Sequence, residues 1–181
     1  MDRVKSRTCP RALIALIAIG ATVGVAAEAL PAAVQKELDG IKALCVDVGG
    51  RPQPAAQLHQ AVQLRPAAPK DHVIGTGEAV CQGAPDPYGG SGGATVIVYA
   101  SRDDGTAFQA FAQGADGVRI EQQKGSSLSQ VSLRVGGALC GQRKNARTVR
   151  AEGMDCWRPI RWSPTKNEFE FAPLSEIQTI K

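Results

Sequence analysis

The chain has 181 residues with a formal net charge of +4, 43% hydrophobic and only 4% aromatic residues. That length suits one domain whose core leans on Val, Ile, Leu and Ala rather than on stacked rings. Four of the basic residues (Arg3, Lys5, Arg7, Arg11) precede residue 12, so the excess of positive charge belongs mostly to the N-terminus and argues against a nucleic-acid partner.

After this basic start comes the uncharged run "ALIALIAIGATVGVAA" at 12–27. A basic region, a short apolar run and an A-x-A-like exit predict a secretory signal peptide over 1–27, cleaved before Glu28, with a second cleavage option before Leu30. The run is too short and too rich in Ala and Gly for a membrane span. Cys9 precedes it, which is the wrong side for lipid attachment. Cleavage removes four basic residues and one acid, leaving a domain over 28–181 with a net charge of +1.

That domain keeps Cys45, Cys81, Cys140 and Cys156. An even number of cysteines in an exported chain reads as two disulfides, with three possible pairings. Joining neighbours, Cys45 to Cys81 and Cys140 to Cys156, closes the shortest loops and is the expected arrangement. Zinc is disfavoured because no two cysteines stand at C-x₂₋₄-C spacing and only His59 and His72 remain to assist. No metal or cofactor is expected.

Val34, Leu38, Ile41 and Cys45 recur at helical spacing, with Pro31 before them and Gly49-Gly50 after, predicting a helix over about 31–45. Prolines make 51–70 irregular, with room for a short strand at 61–64. From 71 to 172 the pattern is β. "DHVIGTGEAVC" is a strand weakened by glycines, and "ATVIVYA" (94–100) is the strongest strand of the chain. "SRDDG" turns into its hairpin partner "TAFQAFA". "VRIEQQ" and "LSQVSLRVGG" follow, and "CWRPIRW" pairs with "EFEF" across "SPTKN". The tail 173–181 is too short to assign. The expectation is an α+β, mainly antiparallel fold, with one helix packed on a hairpin-built sheet and stapled by disulfides.

"IKALCVDVGGRP", the cysteine closing "DHVIGTGEAVC", the Gly/Ser loop, "TVIVYASRDDGTAFQAF" and the late cysteine pair followed by Trp and "EFEF" together resemble a group of small exported proteobacterial proteins. These carry a single integrin-type (FG-GAP or VCBS-like) unit of uncharacterised function. The resemblance covers about 41–171 and implies a D-x-N-x-D-G-x-x-D calcium loop before the second cysteine. Counted back from Cys81, its ligand positions fall on Gln63, Arg65, Ala67 and Asp71. Calcium needs several hard oxygen donors, so Arg65 and Ala67 imply that this copy has lost the site.

Gly89-Gly90-Ser91-Gly92-Gly93 matches G-x-S-x-G. A nucleophile elbow, however, needs a strand before the serine and a helix after it, and here a strand follows. With Asp71-His72 as acid and base, a hydrolase using Ser91 and His72 ranks third among the readings. A phosphate loop fails because no helix opens after the glycines. Calcium at "RDDG" fails because adjacent aspartates of an extended chain point apart. The richest cluster is "GQRKNARTVRAEGMDCWRPIRW", with Arg143, Lys144, Arg147, Arg150, Arg158 and Arg161 beside Trp157 and Trp162. Interleaved cations and aromatics suit an acidic partner. The leading expectation is therefore a non-catalytic, exported binding or structural module, periplasmic or secreted, contacting an envelope polyanion or acidic protein surface. An inhibitor presenting a disulfide-closed loop is second.

Overall fold

The computed structural model describes residues 29–89, 93–142 and 155–180. The expected leader, Ser91, and Arg143, Lys144, Arg147 and Arg150 lie outside the described residues. The helical stripe forms α1 (Ala32–Asp47), which buries Val34, Leu38, Ile41 and Cys45. Left-handed Gly49 (φ +83°) and the Gly50 N–H to Cys45 carbonyl bond of 2.9 Å then turn the chain out of the helix.

Among the described residues eleven short strands follow α1: β1 (Arg51–Gln53), β2 (His59–Val62), β3 (Asp71–Gly75), β4 (Val80–Gln82), β5 (Ala94–Ser101), β6 (Ala107–Ala115), β7 (Gly117–Gln122), β8 (Ser129–Val135), β9 (Cys156–Ser163), β10 (Glu168–Phe171) and β11 (Gln178–Thr179). All the pairings are antiparallel. They build a first sheet in the order β2-β3-β5-β6 and a second in the order β10-β9-β8-β7. A ribbon of β1 with β4 stands apart, and β11 pairs with the start of β9.

The expected α+β, mainly antiparallel fold is therefore present, in three layers rather than two. Ile74, Ile97 and Tyr99 pack under α1 with Val34, Leu38 and Ile41. Val73, Val96, Val98 and Ala100 point the other way, against Val131, Leu133, Val135, Ile160 and Phe169 of the second sheet. A strand covered on both faces reads as a near-continuous apolar run, which is why "ATVIVYA" stood out. The second sheet meets the first through one face, that of Val131, Leu133 and Val135, and so "VSLRV" alternates.

Three expectations change. The 51–70 segment holds β1 and β2, because its prolines occupy the ribbon and the loops while 59–62 stays free to pair with β3. "DHVIGTGEAVC" is two strands, broken by a 3-10 turn at Thr76–Glu78; the Thr76 hydroxyl accepts the Thr95 N–H at 2.8 Å and fixes the corner. The tail contributes β11 to β9.

Both expected disulfides are formed, with Cα–Cα distances of 5.6 Å for Cys45–Cys81 and 5.9 Å for Cys140–Cys156. The first ties the β1-β4 ribbon to the end of α1. A Cβ at Gly50 would run into Cys81 Sγ, so this position needs glycine for space. Disulfides of this kind persist in oxidising compartments. Among the described residues no helix is long and apolar enough to cross a membrane.

Candidate functional site

The basic and aromatic cluster falls partly on β9, and strand geometry separates its members. Successive side chains alternate between faces, so Trp157 and Trp162, five positions apart, point to opposite sides. So do Arg158 and Arg161. Trp162 turns inward, edge-on to Phe169 with ring centroids 5.1 Å apart, and carries the Arg65 guanidinium 4.7 Å from its centre. Trp157 turns outward and carries Arg119 at 4.8 Å.

Arg158 is committed to the fold. Its guanidinium donates to the Ala172 carbonyl at 3.0 and 3.1 Å and to the Leu139 carbonyl at 2.9 Å, and it stacks on Phe171. Burial pushes its pKa down from the ordinary arginine value. Arg161 faces out and pairs with Glu176. Arg161 and Trp162 also line a cleft of about 250 Å³ with Gln123, Ser129 and Gln130.

On the same outer face as Trp157 and Arg161 lie two arginines that the sequence reading did not single out. Arg119 of β7 is 3.2 Å from Glu121, and Arg134 of β8 is 2.6 Å from Asp155. Trp157 stands opposite Arg134 in the β8–β9 register, and Gly117 stands opposite Arg134 on β7. The signal was present in the alternation: Val118 and Ile120 flank Arg119, and Leu133 and Val135 flank Arg134. The outer face is thus a field of Arg–carboxylate pairs around one tryptophan. It borders the segment closed by Cys140–Cys156, whose sequence carries four basic residues against two acids.

The first sheet keeps its polar chemistry inside. Asp71 is fully buried and receives Arg65 through Nε at 3.1 Å to each oxygen and through Nη2 at 2.7 Å, while the Ser101 N–H adds a bond of 3.0 Å. Gln63 Nε2 donates to the carbonyls of Arg65 and Ala68, each at 2.7 Å, and closes the same loop. The positions counted for a calcium loop therefore converge on the chain's own N–H donors, and Ala67 sits in the left-handed region at φ +53°.

His72 follows Asp71 and so faces the helix side, where its Nδ1 lies 2.9 Å from His59 Nε2. Desolvation, and next the neighbouring His72, lower the pKa of His59. Across the strand from His72 stands Tyr99, whose hydroxyl donates to Glu37 of α1 at 3.0 Å. Burial, followed by Glu37, pushes the Tyr99 pKa up to about 12. Asp71 and His72 thus serve different networks on opposite faces of β3.

At the end of the Gly/Ser loop, Gly93 is left-handed (φ +80°) and a Cβ there would strike the Ala115 carbonyl, which accounts for one glycine of the G-x-S-x-G match. Among the described residues no three His, Cys, Asp or Glu side chains converge as a metal site would. Comparisons with family models, curated proteins and solved structures returned no match.

Proposed function

We propose that the chain is an exported, non-catalytic binding module that holds an anionic partner against the outer face of its second sheet and the adjoining basic segment between Cys140 and Cys156. The observation that carries this reading is the Cys140–Cys156 bridge. It holds the two ends of that segment 5.9 Å apart, Cα to Cα, one residue away from Trp157. The sequence between the two cysteines carries Arg143, Lys144, Arg147 and Arg150, and its end at Cys156 opens the strand that holds Trp157 and Arg161. Because Arg119, Arg134 and Arg161 already have carboxylate partners, the net attraction for an anion comes from that segment. Trp157 and the paired arginines add a stacking and hydrogen-bonding surface. Export is supported by the N-terminal sequence together with two disulfides in a domain poor in aromatic residues.

The test is retention on a heparin resin of the exported protein against a variant with Arg143, Lys144, Arg147 and Arg150 changed to Ser. The expected result is elution of the variant at clearly lower salt, because fewer counterions are released on binding. Equal elution of the two would overturn the reading.

A further inference from the structure

β3 and β5 run antiparallel in a register that sets His72 opposite Tyr99. Two residues further out, the same register brings the approach to β3 beside the end of β5, where the Ser101 hydroxyl donates to the Lys70 carbonyl at 2.7 Å. Lys70 and Arg102 thereby come to line one cavity at this end of the first sheet, together with Leu30 and Pro31 of the chain leading into α1. The sheet side chains here are small, Ala61 on β2 and Ser101 on β5, and they leave a volume of about 390 Å³. That size lies within the range of small-molecule sites.

Lys70 and Arg102 stand exposed at the rim of this cavity, whereas Ser101 and His72 are buried in its wall. Among the described residues no acidic side chain lines it, and neither Lys70 nor Arg102 has an ion-pair partner. Arg102 lies over the Phe108 ring at 4.3 Å and donates to the Thr106 hydroxyl at 3.3 Å, contacts that hold the guanidinium without neutralising it. The nearby Asp104 carboxylate accepts the Thr106 N–H at 2.9 Å and the Thr106 hydroxyl at 2.6 Å, and so belongs to its own turn. In this Lys70 and Arg102 differ from Arg119, Arg134 and Arg161, each of which has a carboxylate at hand.

We propose that this cavity is a second binding site, separate from the outer face of the second sheet, and that it takes a small organic anion. Lys70 and Arg102 hold the carboxylate at the rim, and a short apolar body lies against Leu30, Pro31 and Pro69. Small-molecule sites are mostly apolar, with a few polar groups that fix orientation. An arginine suits a carboxylate because its planar guanidinium offers paired N–H donors. The apolar residues select against a bare inorganic anion, which gains nothing from them and gives up part of its water. The Ser101 hydroxyl is committed to the Lys70 carbonyl and His72 Nδ1 lies 2.9 Å from His59 Nε2, so these wall atoms are engaged within the protein.

The chain has only two histidines, so the His72 ring reports on the cavity by NMR once His59→Gln has assigned the pair. Hexanoate added to the exported protein at constant pH and ionic strength should move the His72 signals along a saturable curve, half complete below about 10 mM. Hexanol and inorganic phosphate each keep one half of the ligand and should bind at least about tenfold more weakly. Lys70 and Arg102 are exposed, so the double variant Lys70→Gln with Arg102→Gln should keep the far-UV circular dichroism of the wild type. It should weaken hexanoate binding about tenfold. Absence of saturation, hexanol or phosphate binding as well as hexanoate, or a double variant that binds like the wild type would each overturn the inference. In the chain cleaved before Glu28, one residue ahead of the cavity-lining Ala29, Glu28→Gln should leave the affinity unchanged. A gain of about tenfold there would assign the site to the chain's own carboxylate and overturn the inference as well.

Discussion

The two sheets use the same chemistry at opposite ends of the solvation scale. In the first sheet, enclosed between α1 and its partner sheet, an arginine meets an aspartate in the interior: the Asp71 side chain is 0% exposed and that of Arg65 13%. In the second sheet, on the face turned away from the first, Arg134 meets Asp155 with side chains 43% and 33% exposed. The donor-to-oxygen distances are nearly equal, 2.7 and 2.6 Å. What differs is the water. Removing one partner of a buried pair leaves a charge that nothing solvates, whereas an exposed ion returns to solvent. Distance alone is therefore a poor measure of what an ion pair contributes, and the first sheet is built for order while the second leaves its polar groups available.

Replacing Arg65 by Ala should give the largest effect, a loss of about 3–5 kcal/mol, because Asp71 would keep its charge in the core and Trp162 would lose its stacked cation. Urea unfolding would read this as a lower midpoint. A loss under about 1 kcal/mol would place Asp71 in contact with water and erase the contrast between the sheets.

The histidine pair sharpens the same comparison through pH. The His59 pKa is lowered in the fold, so the folded chain binds fewer protons than the unfolded chain, whose histidines titrate near about 6.5. Stability is then fully present above that value and falls as pH drops through it towards the folded pKa. The groups around the pair do not offset this. Tyr99 stays neutral and Glu37 already accepts its hydroxyl, while His72 shares a cavity wall with Lys70 and Arg102. Thermal midpoints measured from pH 8 to about 5 should fall more steeply for the wild type than for His59→Gln. Parallel curves would show that the pair does not couple folding to protons.

Arg134→Ala marks the other end of the scale. Its pair with Asp155 lies at the surface, and the expected change in stability is below about 1 kcal/mol. The same variant should elute earlier from heparin, since it removes a donor from the outer face beside Trp157. A large stability loss would mean that this face is structural rather than a place of contact.

The alternation in "VSLRV" and the unbroken run in "ATVIVYA" already separate a half-covered strand from a fully covered one, yet neither says which sheet either strand joins. "VRIEQQ" is the next strand after "TAFQAFA" but pairs with β8 in the other sheet, because the chain passes from layer to layer at Asp116, whose N–H bonds the Arg134 carbonyl at 2.9 Å. The cluster around Trp157 and Trp162 was legible as composition. Its division between an inward and an outward face follows from period-two alternation, which a count of residue types overlooks. Arg119 and Arg134 were passed over because each is the lone basic residue of its strand, and only the neighbouring strands bring them to Trp157.

The sequence by itself determined the helix, whose apolar stripe has a single face to bury, and most of the strand content, and it favoured, among three pairings, the disulfides that close the shortest loops. These rest on periods and separations that lie within the chain. Only the tertiary structure decided that the strands divide into two stacked sheets, that Arg65 neutralises Asp71 under Trp162, and that His59 meets His72. Each of these joins groups through pairings between strands, where proximity comes from register across space and leaves no mark on the spacing of residues along the chain.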